Sequence, residues 1–536
     1  MKQSTYAILH LAAVSCASPL SASGTIGVPA APPQDAKRPL EHFMSYSIEF
    51  SSLADFAGNF SNPNTYSYNL LENIASYAIS KPLIRVGGNT QDLTIFNASQ
   101  ESAAVQVFDP ANPDYPANQT IGPAWFESYQ TWPGYHFSHG FNLAEDSPED
   151  LEALLESVPY ACKALEGRFY AWELGNEPDL FIAPISSHPA RPRDYNETDY
   201  VAEWLSWSRK IREEVAKACP ALSTAERYKF LAPSFAGAPA LSNLSVARTF
   251  SDGLNDDNTV GVIAQHKYIA TRGSPGITLQ GTLMNHTNNK LAVGQLAAVS
   301  ASIYAIPDQS LVPENAPIIL GEGNSLAGQG IGGVSNSFGA ALWGFDYALT
   351  LITGGLERWH MHQGTNYRYQ PWQPIDTRNT TKGTKAPYYG NIATAAFLGD
   401  LTKARPQIVD LGFPGDFQSA FASYVDGRLA KIAVINLQSY NTSADNEYKT
   451  SGVRPATTFS FQVPRQYRMA SLQRLTANGS DAITGVTFDG FSYAYELNEG
   501  RPVRLNNVTI GEQVKVKRGE VAVEVPDSSA VILNLQ

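Results

Sequence analysis

The sequence predicts a (β/α)₈ barrel followed by an antiparallel β-sandwich domain. Eight short apolar runs alternate with helical patterns between about residues 42 and 400. No Gly-rich phosphate loop follows any of these runs, which disfavours a doubly wound open sheet. From about Lys403 the helical periodicity stops, and strand-like runs separated by Asn/Gly/Asp turns take over.

The elements follow in order. The predicted strands are Met44–Phe50, Pro82–Gly87, Tyr135–Phe141, Arg168–Leu174, Lys229–Pro233, Gly261–His266, Pro317–Leu320 and Leu356–Met361. Helical spacing of apolar residues marks Ser67–Ile79, Pro148–Leu165, Tyr200–Ala218, Leu241–Asn255, Val293–Tyr304, Phe338–Thr353 and Tyr388–Leu398. The sandwich runs include Ala430–Leu437, Thr458–Pro464, Val503–Leu505, Val521–Val525 and Ala530–Leu535. Residues 1–22 read as a signal peptide: Lys2, an apolar stretch from Tyr6 to Ala17, and small-residue cleavage sites at Ala17 or Ala22. The Pro/Ala/Ser-rich residues 23–41 read as an extended arm, which leaves 42–400 for the barrel and 401–536 for the sandwich. The aromatic, Pro-rich segment Phe96–Pro133 follows the second strand, so it belongs on the face that carries active sites in such barrels.

Composition narrows the function classes. The chain has 536 residues, 43% of them hydrophobic, and a net charge of -12. Its acidic surface argues against a nucleic-acid partner and against docking on an anionic membrane. No segment has the roughly eighteen uninterrupted apolar residues of a membrane span. Ten N-x-S/T sequons, at Asn59, Asn97, Asn118, Asn196, Asn243, Asn285, Asn379, Asn441, Asn478 and Asn507, favour a secreted, extracellular protein carrying N-glycans at some of them. Cys16 leaves with the signal peptide. Cys162 and Cys219 remain, and an oxidising compartment permits a disulfide between them. No CxxC or HxxxH pattern suggests a metal site, and no cofactor is implied. Aromatic residues reach 11%, which fits sugar stacking as well as it fits a large core.

Two carboxylates carry the chemistry. Trp172-Glu173-Leu174-Gly175-Asn176-Glu177-Pro178 ends the fourth strand. Hydrolysis of a glycosidic bond needs a carboxylic acid that protonates the leaving oxygen. Glu177, held at a strand tip by a stiff Pro, suits that task, and Asn176 is placed to bond a sugar hydroxyl. A lone Glu in such a loop is more often a solvent-facing group. The second carboxylate changes the weighing. Ile318-Ile319-Leu320-Gly321-Glu322-Gly323-Asn324 places Glu322 after the seventh strand, across the barrel mouth from the fourth. Two Glu residues at those tips meet the roughly 5–5.5 Å spacing of a retaining double displacement. Glu173, inside the strand, reads as a brace of the barrel interior.

These motifs resemble glycoside hydrolase family 79, the β-glucuronidase and heparanase family among the retaining glycosidases on TIM barrels. The resemblance rests on Arg85-Val86-Gly87-Gly88-Asn89-Thr90-Gln91-Asp92, on Trp172 to Pro178, on Gln265-His266-Lys267-Tyr268 and on Gly321-Glu322. It implies Glu177 as acid/base and Glu322 as nucleophile. It further implies that Tyr268 hydrogen-bonds Glu322, that His266 lines the same wall, and that a glycine-rich turn at Gly328 and Gly330 binds a glucuronate carboxylate. Where the family often shows a preceding tyrosine and consecutive glycines, this chain has Ala327 and Gln329. Asn366 and Tyr367, after the eighth strand, match a loop that also meets the carboxylate. Glu49, at the first strand's tip, suits either the sugar's outer hydroxyls or a structural role. Arg368 suits either the glucuronate or the surface.

The implied activity is removal of terminal β-linked glucuronic acid, or its 4-O-methyl form, from oligo- or polysaccharides such as arabinogalactan side chains. A heparanase-like endo-glucuronidase is the alternative; its sulfated substrate calls for basic clusters, and this chain has 38 Lys+Arg against 50 Asp+Glu. A neutral-sugar β-glycosidase of a neighbouring family is another. An inactive glycan-binding protein is disfavoured because both carboxylates are retained.

Overall fold

The computed structural model describes residues 24–536 except 111, 184–189, 238–243, 444–448 and 451. The expected signal peptide and the sequon at Asn243 therefore lie outside the described residues. Eight parallel strands close into a barrel in chain order: β1 (Met44–Glu49), β2 (Ile84–Gly87), β3 (Phe137–Phe141), β4 (Phe169–Leu174), β5 (Phe230–Phe235), β6 (Val260–Thr271), β7 (Ile318–Ala327) and β8 (Trp359–Gln363). Helices α1 (Thr65–Ala78), α2 (Pro148–Ala164), α3 (Glu197–Ala218), α4 (Val246–Ser251), α5 (His286–Tyr304), α6 (Phe338–Thr353) and α7 (Ala386–Leu398) wrap it.

Local chemistry sets their ends. Asn196 forms a capping box with Asp199, so α3 begins three residues before the predicted start. Asn285 caps α5 by accepting from the Asn288 N–H, which lengthens that helix to His286. The predicted helix over 241–255 shrinks to α4, among the described residues. In α3, Tyr200, Trp204, Trp207, Ile211 and Val215 recur at helical spacing and are buried against the strands. Cys162 of α2 and Cys219, just past α3, form a disulfide with Cα atoms 6.2 Å apart.

The barrel interior is divided. Ala171, Leu231, Val262, Ala264 and Ile319 of β4–β7 form one apolar cluster. On the other side Ser45, Ser47, Arg85, His360 and His362 are buried. Between β2 and β3 a 3₁₀ helix, Pro123–Gln130, occupies the helix position, with Trp125 and Tyr129 buried. Before it the chain forms a small sheet of Thr94–Phe96, Ala104–Asp109 and Asn112–Ile121, the last two an antiparallel hairpin.

The C-terminal domain packs a nine-stranded sheet on a three-stranded one over a separate core that includes Phe459, Phe461, Ile432 and Leu533. The arm completes it: Ile26 and Gly27 pair in parallel with Phe461 and Gln462.

Candidate active site

β6 and β7 do not stop at His266 and Leu320 as their sequences suggested. They stay paired to Thr271 and Ala327, with a bulge between Gln265 and His266 that brings His266 opposite Glu322. Glu322 thus sits within a strand, held from both sides. Glu177 sits on a loop just past β4, in a left-handed conformation with φ 50°. Such a conformation is costly for a non-glycine residue and is held by its surroundings. Its N–H donates to the Ser234 carbonyl at 3.1 Å. Asp179 accepts from the N–H groups of Ala236 and Gly237 at 2.9 and 3.1 Å. The loops after β4 and β5 are thereby tied together.

Side-chain donor atoms of Glu177, His266 and Glu322 all lie within 4.8 Å of one another. Among the described residues this is the one group of three or more His, Cys, Asp or Glu residues whose ligating atoms lie so close, and Arg85 bonds its Glu322. Arg85 is fully buried and uses every N–H of its fork. Nε and Nη2 donate to Glu173 at 2.7 and 3.1 Å, and Nη2 also to Asn176 Oδ1 at 2.8 Å. Nη1 donates to Ser47 at 2.8 Å and to Glu322 Oε2 at 2.6 Å. The other Glu322 oxygen accepts from the Tyr268 hydroxyl at 2.8 Å. His362 Nδ1 lies 3.5 Å from Glu322 Oε2.

The two carboxylates are pushed apart in acidity. Burial raises Glu322, but the charges of His362, His266 and Arg85 and the Tyr268 hydrogen bond overcome it and hold the carboxyl well below the usual range. Burial also holds His266 near 4, so at neutral pH Arg85 is the standing cation beside Glu322; burial lowers His362, but the Glu322 charge and the Glu49 hydrogen bond raise it above its ordinary value. Glu177 is raised to about 8, first by burial and then by the Glu322 charge. Its Oε1 lies 3.0 Å from His266 Nδ1. One carboxyl is protonated and the other ionised at neutral pH, as an acid and a nucleophile must be.

The remaining predicted residues divide. Asn176 joins the cluster through Arg85, and its Nδ2 donates to Asn89 at 2.8 Å. Glu49 also joins it, with both oxygens engaged: Thr90 donates twice to Oε1, while Tyr367 Oη and His362 Nε2 lie 3.0 and 3.2 Å from Oε2. A glycine at 88 is required here, because φ is 98° and a Cβ would fall 2.6 Å from Glu49 Oε1. Gly328, Gln329 and Gly330 are all left-handed, with φ of 77°, 69° and 76°. Arg368 fixes that turn through the Gln329 side chain, at 2.9 Å, and through an ion pair with Asp114 of the hairpin. Asn366 turns away from the carboxylates. Its side chain accepts from Thr377 and Gln373, and it borders a neighbouring cleft of about 610 Å³.

Several participants carried no assigned role in the sequence reading. Arg85, His362 and Asp92 are the main ones, with Tyr115 on the hairpin. Asp92 accepts from the N–H groups of Leu143 and Asn176, and burial lifts it to about 7. Tyr115 bonds Asn89 and lies within the field of Glu49 and Glu177, its hydroxyl raised well above its usual value by burial and then by Glu49. The signal for Arg85 was a charged residue inside an apolar strand, which needs a buried partner.

Relatives share this architecture. Residues 420–532 match the glycosyl hydrolase family 79 C-terminal beta domain. A beta-glucuronidase of Aspergillus niger is 47% identical over 522 residues, covering 96% of this chain and 94% of that protein. A beta-glucuronidase of Neurospora crassa is 45% identical over 500 residues, 87% of each chain. The crystal structure of a 4-O-alpha-L-rhamnosyl-beta-D-glucuronidase from Fusarium oxysporum aligns over 95% of this chain and all (100%) of that one, with a TM-score of 0.75 and 24% identity. A family 51 α-L-arabinofuranosidase from Bifidobacterium longum aligns with a TM-score of 0.57 at 13% identity, covering 96% of this chain and 99% of that one. The last two likenesses concern the fold alone. At the identity and coverage of the two glucuronidases, this chain belongs to glycoside hydrolase family 79.

Proposed function

We propose that the protein is a retaining exo-β-glucuronidase. The observation that carries this reading is the Glu177–Glu322 pair, within 4.8 Å and oppositely protonated. An approach this close fits direct attack by a carboxylate better than the about 6.5–9.5 Å spacing of an inverting enzyme. Glu322 attacks the anomeric carbon while Glu177 protonates the leaving oxygen. Water then hydrolyses the glycosyl-enzyme, with Glu177 taking its proton. With Glu177 neutral, the ionised Glu322 favours the developing oxocarbenium charge.

The glucuronate carboxylate is read by Tyr367 and by amides of the Gly328–Gly330 turn, whereas Asn366 spends its N–H on Gln373. The two named glucuronidases, similar over most of the chain, support this assignment. Lys385, whose Nζ donates to the Tyr367 carbonyl at 3.3 Å, stands on that side, its pKa lowered to about 7 by burial and then by the Arg368 charge. The hairpin carrying Asp114 and Tyr115 supports a closed pocket, hence exo cleavage of terminal residues. Glycans bearing terminal glucuronate, such as arabinogalactan side chains, are the fitting substrates for a secreted enzyme of this kind.

The test is aryl alcohol release from paired β-glucuronide and β-glucoside substrates, with the anomeric configuration of the first product followed by NMR. Preference for the glucuronide with a β first product supports the reading. Preference for the glucoside removes the roles given to Gly328, Gly330 and Tyr367. An α first product removes the double displacement.

A further inference from the structure

The hairpin that carries Tyr115 over the site has two unlike faces. Gln106 and Gln119 are cross-strand partners on its inner face. They bond each other at 3.0 Å, Gln106 donates to the Ser51 carbonyl at 2.8 Å, and Gln119 donates to Thr94 at 2.7 Å. The outer face presents Val105 and Val107, 51% and 59% exposed, with Phe108 at 45% just beyond. Large apolar side chains so exposed within four residues of one strand are unusual on a soluble domain. A hairpin of this size has little stability of its own.

Register identifies what covers this face. Val107 pairs with Asn118, and Val105 with Thr120. Directly opposed residues of an antiparallel pair project from the same side of the sheet. Asn118-Gln119-Thr120 is a sequon, and Asn118 is exposed. The apolar strip thus runs beside the atom to which a glycan attaches. Other sequons are built differently: Asn441 is buried at 7% exposure, and Asn196 donates its amide to Asp199 as a helix cap.

We propose that Asn118 is a glycosylation site whose N-linked chitobiose core lies on Val105 and Val107 and holds the hairpin closed over the catalytic pocket. The apolar face of an N-acetylglucosamine ring covers the valines, and its hydroxyls face water. Covalent attachment removes the entropy cost of recruiting a separate partner. The proposal requires passage through a glycosylating secretory pathway and does not depend on which sugar the enzyme cleaves.

The experiment uses the full chain secreted from a eukaryotic host, with glycopeptide mapping followed by limited proteolysis read as cleavage within residues 97–121. Asn118 should carry glycan. Asn118→Gln should be nicked there roughly fivefold faster, because cleavage follows the population of the opened hairpin. Asn507→Gln, in the sandwich, should leave the rate unchanged. Protein trimmed to a single N-acetylglucosamine should stay protected. An unoccupied Asn118, an unchanged nicking rate in Asn118→Gln, or equal acceleration in Asn507→Gln would each overturn the proposal. None of these readouts uses glucuronidase activity, so a failed activity assay and a failed hairpin assay are told apart.

Discussion

Replacing Arg85 with Met tests the electrostatic core of the site. The guanidinium is fully buried and all five of its N–H groups are used, two of them on Glu173 and one on Glu322. Met keeps the apolar stem and removes the charge. Two carboxylates are then left in the barrel without their shared cation, and removal of one partner of a buried pair costs about 3–5 kcal/mol. The loss depends on pH. Glu322 is held low partly by this cation, so it contributes stability above its unfolded value and loses it as pH falls. Without Arg85 its folded pKa rises. The gap between variant and wild type should therefore be widest near pH 7 and narrow as pH falls below the variant's raised Glu322 value toward the wild type's depressed one. Thermal scans of wild type, Arg85→Met and Arg85→Met/Glu173→Met across that range provide the assay. The double variant should be more stable than Arg85→Met alone, by about 1–3 kcal/mol. A loss that is small, independent of pH and unrelieved by the second substitution would refute the reasoning.

Four further outcomes are expected. Glu322→Gln should lower kcat by roughly 10⁴-fold or more while keeping a folded circular dichroism spectrum with a lowered Tm, since the Arg85 pairing is lost, and near-normal kcat would remove the nucleophile assignment. The alkaline limb of kcat/KM should lie near pH 8, where Glu177 loses the proton needed by the leaving group; a limb below pH 6 would contradict that role. Tyr367→Phe should reduce kcat/KM on aryl glucuronides far more than on glucosides, whereas equal losses would say that Tyr367 acts only through Glu49. His286 is raised to about 10: burial lowers it, but pairing with Asp346 and then Asp410 wins. A raised pKa gives stability that is full below about 6.5 and lost as pH rises toward 10. His286→Gln should accordingly flatten the fall in Tm over that interval, and an unchanged slope would assign the fall elsewhere.

Much of the architecture was legible because a parallel barrel writes itself as apolar runs at regular intervals. Strand tips were less so. Leu320 looked like the end of its strand because Gly321 and Glu322 break the apolar pattern, yet β6 and β7 continue as a pair beyond the barrel. Pairing partners, rather than propensity, decided that. The catalytic glutamates stood out by motif, whereas Arg85 and His362 act through contacts between distant segments, which spacing does not encode. The region from Phe96 to Pro133 was recognisable as an insertion on the working face. Its hairpin pairing was not, since Pro113 and Pro116 argue against a strand and are tolerated only where a sheet is irregular or at its edge.

The short strand at Ile26 and Gly27 imposes an order on synthesis. Its partners Phe461 and Gln462 lie 435 residues later in the chain (461 minus 26). At about 5–20 residues per second the ribosome needs roughly 20–90 s to make that stretch. The first described strand is thus among the last to find its place. Until then the edge of the sandwich and the head of the chain are both open, and that interval is when another molecule's arm could compete for the edge.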